Sequence, residues 1–191
     1  MRTEHFYPIS KLIDWWRRAP SKKESATLPS ARERITALLD KEKISYRVVS
    51  HPKAYSALRL AESIHVPGRE VAKVVIVRAK EEYGMVVLPA SHDLDLTRFA
   101  HAIGAEAVSL LEERELKEIF PDCEVGAMPP LGNLYELPVY VDQALAEEPV
   151  LFFPAGNHHE VIEMRYDDFD RIVRPIVGNF ALEPLKRVSG A

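Results

Sequence analysis

The groups in this chain whose types and placement could do chemistry are a lysine ammonium in an apolar run, a tandem pair of imidazoles and two glycine-marked irregular segments. Lys73 stands within Val71-Ala72-Lys73-Val74-Val75-Ile76-Val77. Desolvating an unpaired ammonium costs several kcal/mol, so its head either snorkels to water or serves a site that supplies an anion or acceptor. Both readings stay open from this run alone. In Val125-Gly126-Ala127-Met128-Pro129-Pro130-Leu131-Gly132-Asn133-Leu134-Tyr135 the prolines restrict φ and the glycines permit close backbone approach, which suits a rigid ligand-facing loop as well as an ordinary structured turn. In Asn157-His158-His159-Glu160 a strand that starts early puts His158 with Ile162 and Met164, and His159 with Val161 and Glu163. His158 is then the inward imidazole, either a site group or a satisfied core histidine.

Other chemistries lose their support. No glycine opens a Gly-x-Ser-x-Gly elbow, a Gly-x-Gly-x-x-Gly fingerprint or a phosphate-binding loop. His158-His159-Glu160 lacks the His-Glu-x-x-His spacing of a zinc helix, and His92-Asp93-Leu94-Asp95 reads as a solvated loop with a helix cap, so no metal site is expected. Cys123 is the single cysteine, which excludes an internal disulfide framework and reads as a bystander thiol in a reducing compartment. The net charge of −4 gives no global basic field for duplex binding. No apolar run approaches the ~20 residues that span a bilayer, and no secretory leader is evident, so a cytoplasmic protein without stable membrane insertion is expected.

The elements that must position these groups follow from periodicity. The 191 residues, 47% hydrophobic, suit one domain with an extension. Residues 1–30 carry six basic and three acidic side chains, leaving −7 for the remainder. Ile9, Leu12, Ile13 and Trp16 predict a short amphipathic helix from Ser10 to about Arg18, followed by a linker over 19–25. Helices are predicted over Ala31 to Lys41, Ser56 to Ile64, Leu96 to Ile103, Glu112 to Ile119 and Tyr166 to Ile172. Strands are predicted near Tyr46–Val49, Val71–Val77, Met85–Leu88, Pro138–Val141, Val150–Phe153, Glu160–Met164 and Pro175–Val177, with a hairpin turn at Glu82-Tyr83-Gly84. This intermixing predicts a mixed sheet with peripheral helices rather than repeated βαβ units.

Taken together, Val66-Pro67-Gly68-Arg69-Glu70-Val71-Ala72-Lys73-Val74-Val75, Gly126-Ala127-Met128-Pro129-Pro130-Leu131-Gly132 and Ala155-Gly156-Asn157-His158-His159-Glu160 resemble the YbaK family, the domain associated with prolyl-tRNA synthetase editing. The likeness covers about residues 31–181, leaving 1–30 as an extension and 182–191 as a tail. It implies an α+β fold with a mixed, partly barrel-like sheet flanked by helices, and hydrolysis of the ester bond of mischarged aminoacyl-tRNA in trans without cofactor or metal. Lys73 matches the family lysine required for deacylation, Gly126 the glycine of the substrate-facing loop, and His158 the histidine beside the aminoacyl group. Tyr55, Met128, Pro130, Gly132, Gly156, Asn157 and His159 are the implied substrate-contacting positions. The implied partner is the 3′ end of mischarged tRNA; an aminoacyl-tRNA synthetase and a second copy of the chain stay open as further partners. A noncatalytic module that binds aminoacyl-tRNA or a small molecule on the same fold is the competing expectation.

Overall fold

In a computed structural model, residues 29–80 and 82–182 are described. The amphipathic helix and linker expected before residue 29 lie outside the described residues, as does the tail beyond Leu182. Helix α1, Ala31–Lys41, starts where the sequence provides a reciprocal cap: the Ser30 hydroxyl accepts from the Glu33 amide, and the Glu33 carboxylate accepts from the Ser30 amide. Its Ile35 and Leu39 are fully buried. Strand β1, Tyr46–Ser50, leads through an irregular loop to α2, Ala57–Ser63, capped by Ser56 accepting from the Arg59 amide. His65, at φ 58°, turns the chain out of this helix ahead of Pro67.

Strands β2, Ala72–Ala79, and β3, Glu82–Pro89, form the central hairpin. Ala79 already pairs with Glu82, and Lys80 has φ 57°, so Glu82-Tyr83-Gly84 belongs to the strand and not to the turn. Gly84 instead lies inside β3 opposite Val77, where an added Cβ would sit 3.2 Å from the Tyr140 ring. A glycine that marks close packing in a strand looks, in sequence, like a turn glycine.

Next come β4, Asp93–Leu94; α3, Leu96–Ala102, capped by Asp95; β5, Ser109–Leu110; and α4, Glu113–Ile119. A 3₁₀ turn over Gly132–Leu134 precedes β6, Val139–Asp142, and α5, Gln143–Ala146. The chain then forms β7, Val150–Pro154; β8, Glu160–Arg165; α6, Tyr166–Val173; β9, Ile176–Gly178; and β10, Ala181–Leu182. The short elements β4, β5, β10 and α5 were absent from the sequence expectation; two to four residues carry no readable period.

Among the described residues three sheets form, in the orders β1-β8-β7, β5-β2-β3-β6-β9 and β10-β4. The five-stranded sheet is mixed: β3-β6 and β6-β9 are parallel, the other pairs antiparallel. Alternate residues separate two cores. Ala72, Ile76, Met85, Val87, Val139 and Val141 join Leu151, Phe153, Ile162 and Met164 of the three-stranded sheet in the main core. On the other face Val77, Val86, Leu88 and Tyr140 pack with Phe99 and Phe180. Burial on both faces is why β2 and β3 read as continuous apolar runs. Two sheets thus wrap one core in the mixed α+β arrangement expected.

Candidate active site

A cleft of about 220 Å³ opens where β2 and β7 part. Val71 bridges Phe152 in parallel register, and the Phe152 amide donates to the Glu70 carbonyl at 2.9 Å. One step further in that register would set Lys73 opposite Pro154, which has no N–H to donate, so pairing stops. Lys73 and Pro154 both line the cleft.

The Lys73 side chain is 27% exposed. Its ammonium donates to the His92 carbonyl and, at 2.9 Å, to Asp93 Oδ1. The lysine therefore neither projects freely into water nor lies unpaired. Its hydrogen bond and charge hold the Asp93 carboxyl below the ordinary carboxylate range. An ammonium has three N–H donors, so one remains after these two bonds.

Across the cleft, Gly126 and His158 meet. Gly126 has φ 86°, and a Cβ there would lie 3.7 Å from His158 Cε1. His158 is 8% exposed. Its backbone is pinned from both sides, the amide donating to Glu124 Oε2 at 2.9 Å and the carbonyl accepting from the Ala54 amide at 3.0 Å. Nε2 lies 3.1 Å from the Val125 carbonyl; a carbonyl only accepts, so Nε2 carries a ring proton and donates it there. The imidazole is inward although the strand begins only at Glu160, because the Asn157 side chain shapes the turn. Asn157 Oδ1 accepts from the amides of His159 at 3.0 Å and Glu160 at 2.8 Å, and Nδ2 donates to Glu160 Oε2.

Tyr55 and Met128 complete the set of expected residues on the cleft wall, with Asn157 at its edge. Pro130, Gly132, Gly156 and His159 do not line it. Pro130 is buried. At Gly132 a Cβ would meet the Leu137 carbonyl oxygen at 2.5 Å, and at Gly156, φ 87°, it would meet the Ala31 Cβ at 2.3 Å. These two glycines admit neighbouring protein atoms, not a ligand. His159 is exposed.

His51 also borders the cleft and was missed in the sequence. Its Nδ1 lies 2.8 Å from the Pro52 carbonyl, which puts the proton on Nδ1, and its buried Nε2 has no hydrogen-bond partner among the described residues. A histidine before a proline in a loop has no spacing to betray it. Cys123 stands apart in a network with the Tyr135 hydroxyl at 3.2 Å, and burial pushes its thiol up to about 12. Among the described residues, no three His, Cys, Asp or Glu side chains converge as metal ligands, and no helix is long and apolar enough to cross a membrane.

The aminoacyl-tRNA editing domain family matches residues 51–172, more than half the chain. The multifunctional Ser/Thr-tRNA deacylase ProXp-y of Escherichia coli K12 is 28% identical over 153 residues, covering 78% of this chain and 91% of that protein. A proline–tRNA ligase of Bacillus cereus G9842 is 22% identical over 107 residues, covering 56% of this chain but 19% of the ligase. A crystal structure described as a candidate trans-editing enzyme for prolyl-tRNA synthetase superposes with a TM-score of 0.71 at 17% identity, covering 82% of this chain and 99% of that one, which establishes the shared fold.

Proposed function

This chain belongs to the aminoacyl-tRNA editing domain family, and on that premise we propose that it is a deacylase that hydrolyses the ester of mischarged tRNA in trans, without a metal, at the Lys73 cleft. The observation that carries this reading is the convergence of Lys73, Gly126 and His158, from three distant segments, on one cleft. An aminoacyl ester is already activated, so positioning a water and stabilising the developing oxyanion suffice, with no protein nucleophile.

In this scheme the remaining Lys73 N–H meets the ester oxygen or the terminal phosphate. Backbone at Gly126 orients the carbonyl. The Ala127 amide is not part of that, because it donates to the Glu124 carbonyl at 2.9 Å. The His158 imidazole, which lines the cleft, positions the attacking water or the amino acid. Water adds to the ester carbon, the tetrahedral species collapses, and the C–O bond to the ribose breaks to release the amino acid and tRNA.

The cleft is smaller than the roughly 300–1,000 Å³ of pockets that enclose drug-sized ligands. It suits a small aminoacyl group, which fits the Ser/Thr-tRNA specificity in the name of the Escherichia coli relative. Hydrophobic synthetic sites discriminate one methylene by only about 1–3 kcal/mol, which is the circumstance that calls for a second hydrolytic check. The editing unit is proposed to span 31–181, beyond the family match. Ile35 and Leu39 of α1 are wholly buried in the main core, where such side chains contribute roughly 1.5–3 kcal/mol each.

Deacylation of tRNAs mischarged with alanine, serine, threonine and larger amino acids tests the reading. Turnover of at least one small aminoacyl-tRNA is expected, and Lys73→Ala should lower it about 100- to 1,000-fold with an unchanged melting temperature. Near-wild-type turnover by Lys73→Ala would overturn the lysine assignment. Binding without turnover for every member of the panel would point to a noncatalytic module.

A further inference from the structure

The cleft, at about 220 Å³, is of a size for an aminoacyl group, and the nucleoside that carries it would rest on the rim. The rim bears an aromatic side chain that the protein itself leaves uncovered. Tyr55 lines the cleft yet is 70% exposed, the most exposed large hydrophobic among the described residues. Its ring leans on His158, centroid to centroid 4.9 Å and tilted by 56°, so it is tied to the imidazole in the cleft. The Lys53 ammonium lies 5.2 Å from the ring centroid. Leu58, 51% exposed, stands three residues further on at the start of α2. Glu124 presents a carboxylate 3.8 Å from His158 Nε2, which disfavours a phosphate beside the imidazole.

An exposed ring with a lysine ammonium beside it matches the chemistry of single-stranded RNA, in which bases stack on aromatic faces and phosphates meet lysine. We propose that Tyr55 and Lys53 form the platform for the unpaired 3′-terminal nucleoside of the substrate RNA, Tyr55 stacking on its base and Lys53 meeting the adjacent phosphate. This deepens the editing reading and rests on it. The platform explains how a small cleft in an acidic protein holds a large anion: the ring and one cation grip the end of the strand, and the aminoacyl ester reaches inward past His158 to Lys73.

Binding of a short CCA-ending RNA oligonucleotide to the full chain, followed by fluorescence anisotropy, reads the platform independently of turnover. Tyr55→Ala is expected to weaken binding about 10- to 100-fold, Tyr55→Phe by no more than about twofold, and Lys53→Ala to reduce the slope of log affinity against log salt by about 0.7. The same Tyr55 order should reappear in kcat/KM for deacylation. Equal affinity for wild type and Tyr55→Ala, or an equal loss in Tyr55→Phe and Tyr55→Ala, overturns the platform. Oligonucleotide binding with the expected Tyr55 order but no deacylation of any mischarged tRNA would uphold the platform while removing the editing reading, so the two failures are distinct.

Discussion

Lys73 commits two donors to the protein and keeps one for a ligand, and its partners differ in what they do. Asp93 is 88% exposed, and exposed ion pairs contribute only about 0.2–1 kcal/mol. Asp93→Asn is therefore expected to lower kcat/KM by no more than about fivefold, against the far larger loss from Lys73→Ala. Its carboxyl is depressed in the folded state, so whatever the pair contributes is fully present above the ordinary value near 4 and is lost only as pH falls through the lower folded value. Rate profiles of wild type and Asp93→Asn should consequently run parallel from pH 5 to 8; an inflection present in one and missing in the other would refute this. Cys123 behaves in the opposite sense. Burial raises its thiol to about 12, so the protonated form is favoured on folding, and that contribution is present below the unfolded value near 8.5 and disappears as pH rises toward 12. Alkylation by iodoacetamide at pH 8 should be at least about tenfold slower in the folded protein than in urea. How far such roles can be read in sequence depends on the residue. Lys73 is conspicuous because its neighbours are apolar, whereas Asp93 and His51 sit in polar or loop surroundings where a site residue looks like any other.

At the level of elements, long segments with a clear period were legible and short ones were not. Helices α1, α2, α3, α4 and α6 and the longer strands fall where capping residues and apolar spacing put them. The two-residue strands β4, β5 and β10 exist only because tertiary neighbours pair with them, as Leu182 does with Asp93. Glycines were the ambiguous signal. Sequence cannot distinguish a backbone that approaches a ligand from one that approaches another backbone, and only Gly126 of the glycines singled out borders the cleft. Gly156→Ala should accordingly destabilise the fold by about 2–4 kcal/mol, combining a strained positive φ with displacement of α1 at Ala31. Urea unfolding checks this, and a loss under 1 kcal/mol would be incompatible with the packing. Asp142 is a fastening point between elements. Buried at the end of β6, it accepts from the Ala144 amide at 3.0 Å, the Phe180 amide at 2.7 Å and the Ala181 amide at 2.8 Å. It fastens α5 and the approach to β10 together, and β10 in turn pairs with the strand that bears Asp93. Asp142→Ala leaves three amides without that acceptor and is expected to cost about 3 kcal/mol or more, with loosening concentrated at residues 176–182 in hydrogen exchange.

For the whole molecule, the central question is how a chain of net charge −4 handles a polyanion. A broad basic face would make affinity collapse with salt, because each neutralised phosphate releases counterions and adds about 0.7 to the slope for a single strand. Here the cations that matter to the proposed site are Lys73, already bonded to Asp93, and Lys53 at the rim. Two such contacts predict a shallow slope of about −1.4 for log kcat/KM against log salt with wild type. The extension over residues 1–30 carries a formal +3 and is one place that can add phosphate contacts. Deacylation measured between 50 and 300 mM salt for the full chain and for a chain lacking residues 1–28 separates the alternatives. The expected result is a shallow slope in both, changed by less than one unit on truncation. A slope steeper than about −4 that becomes shallow on truncation would transfer RNA binding from the rim of the cleft to the N-terminal arm, since two cations cannot release that many counterions.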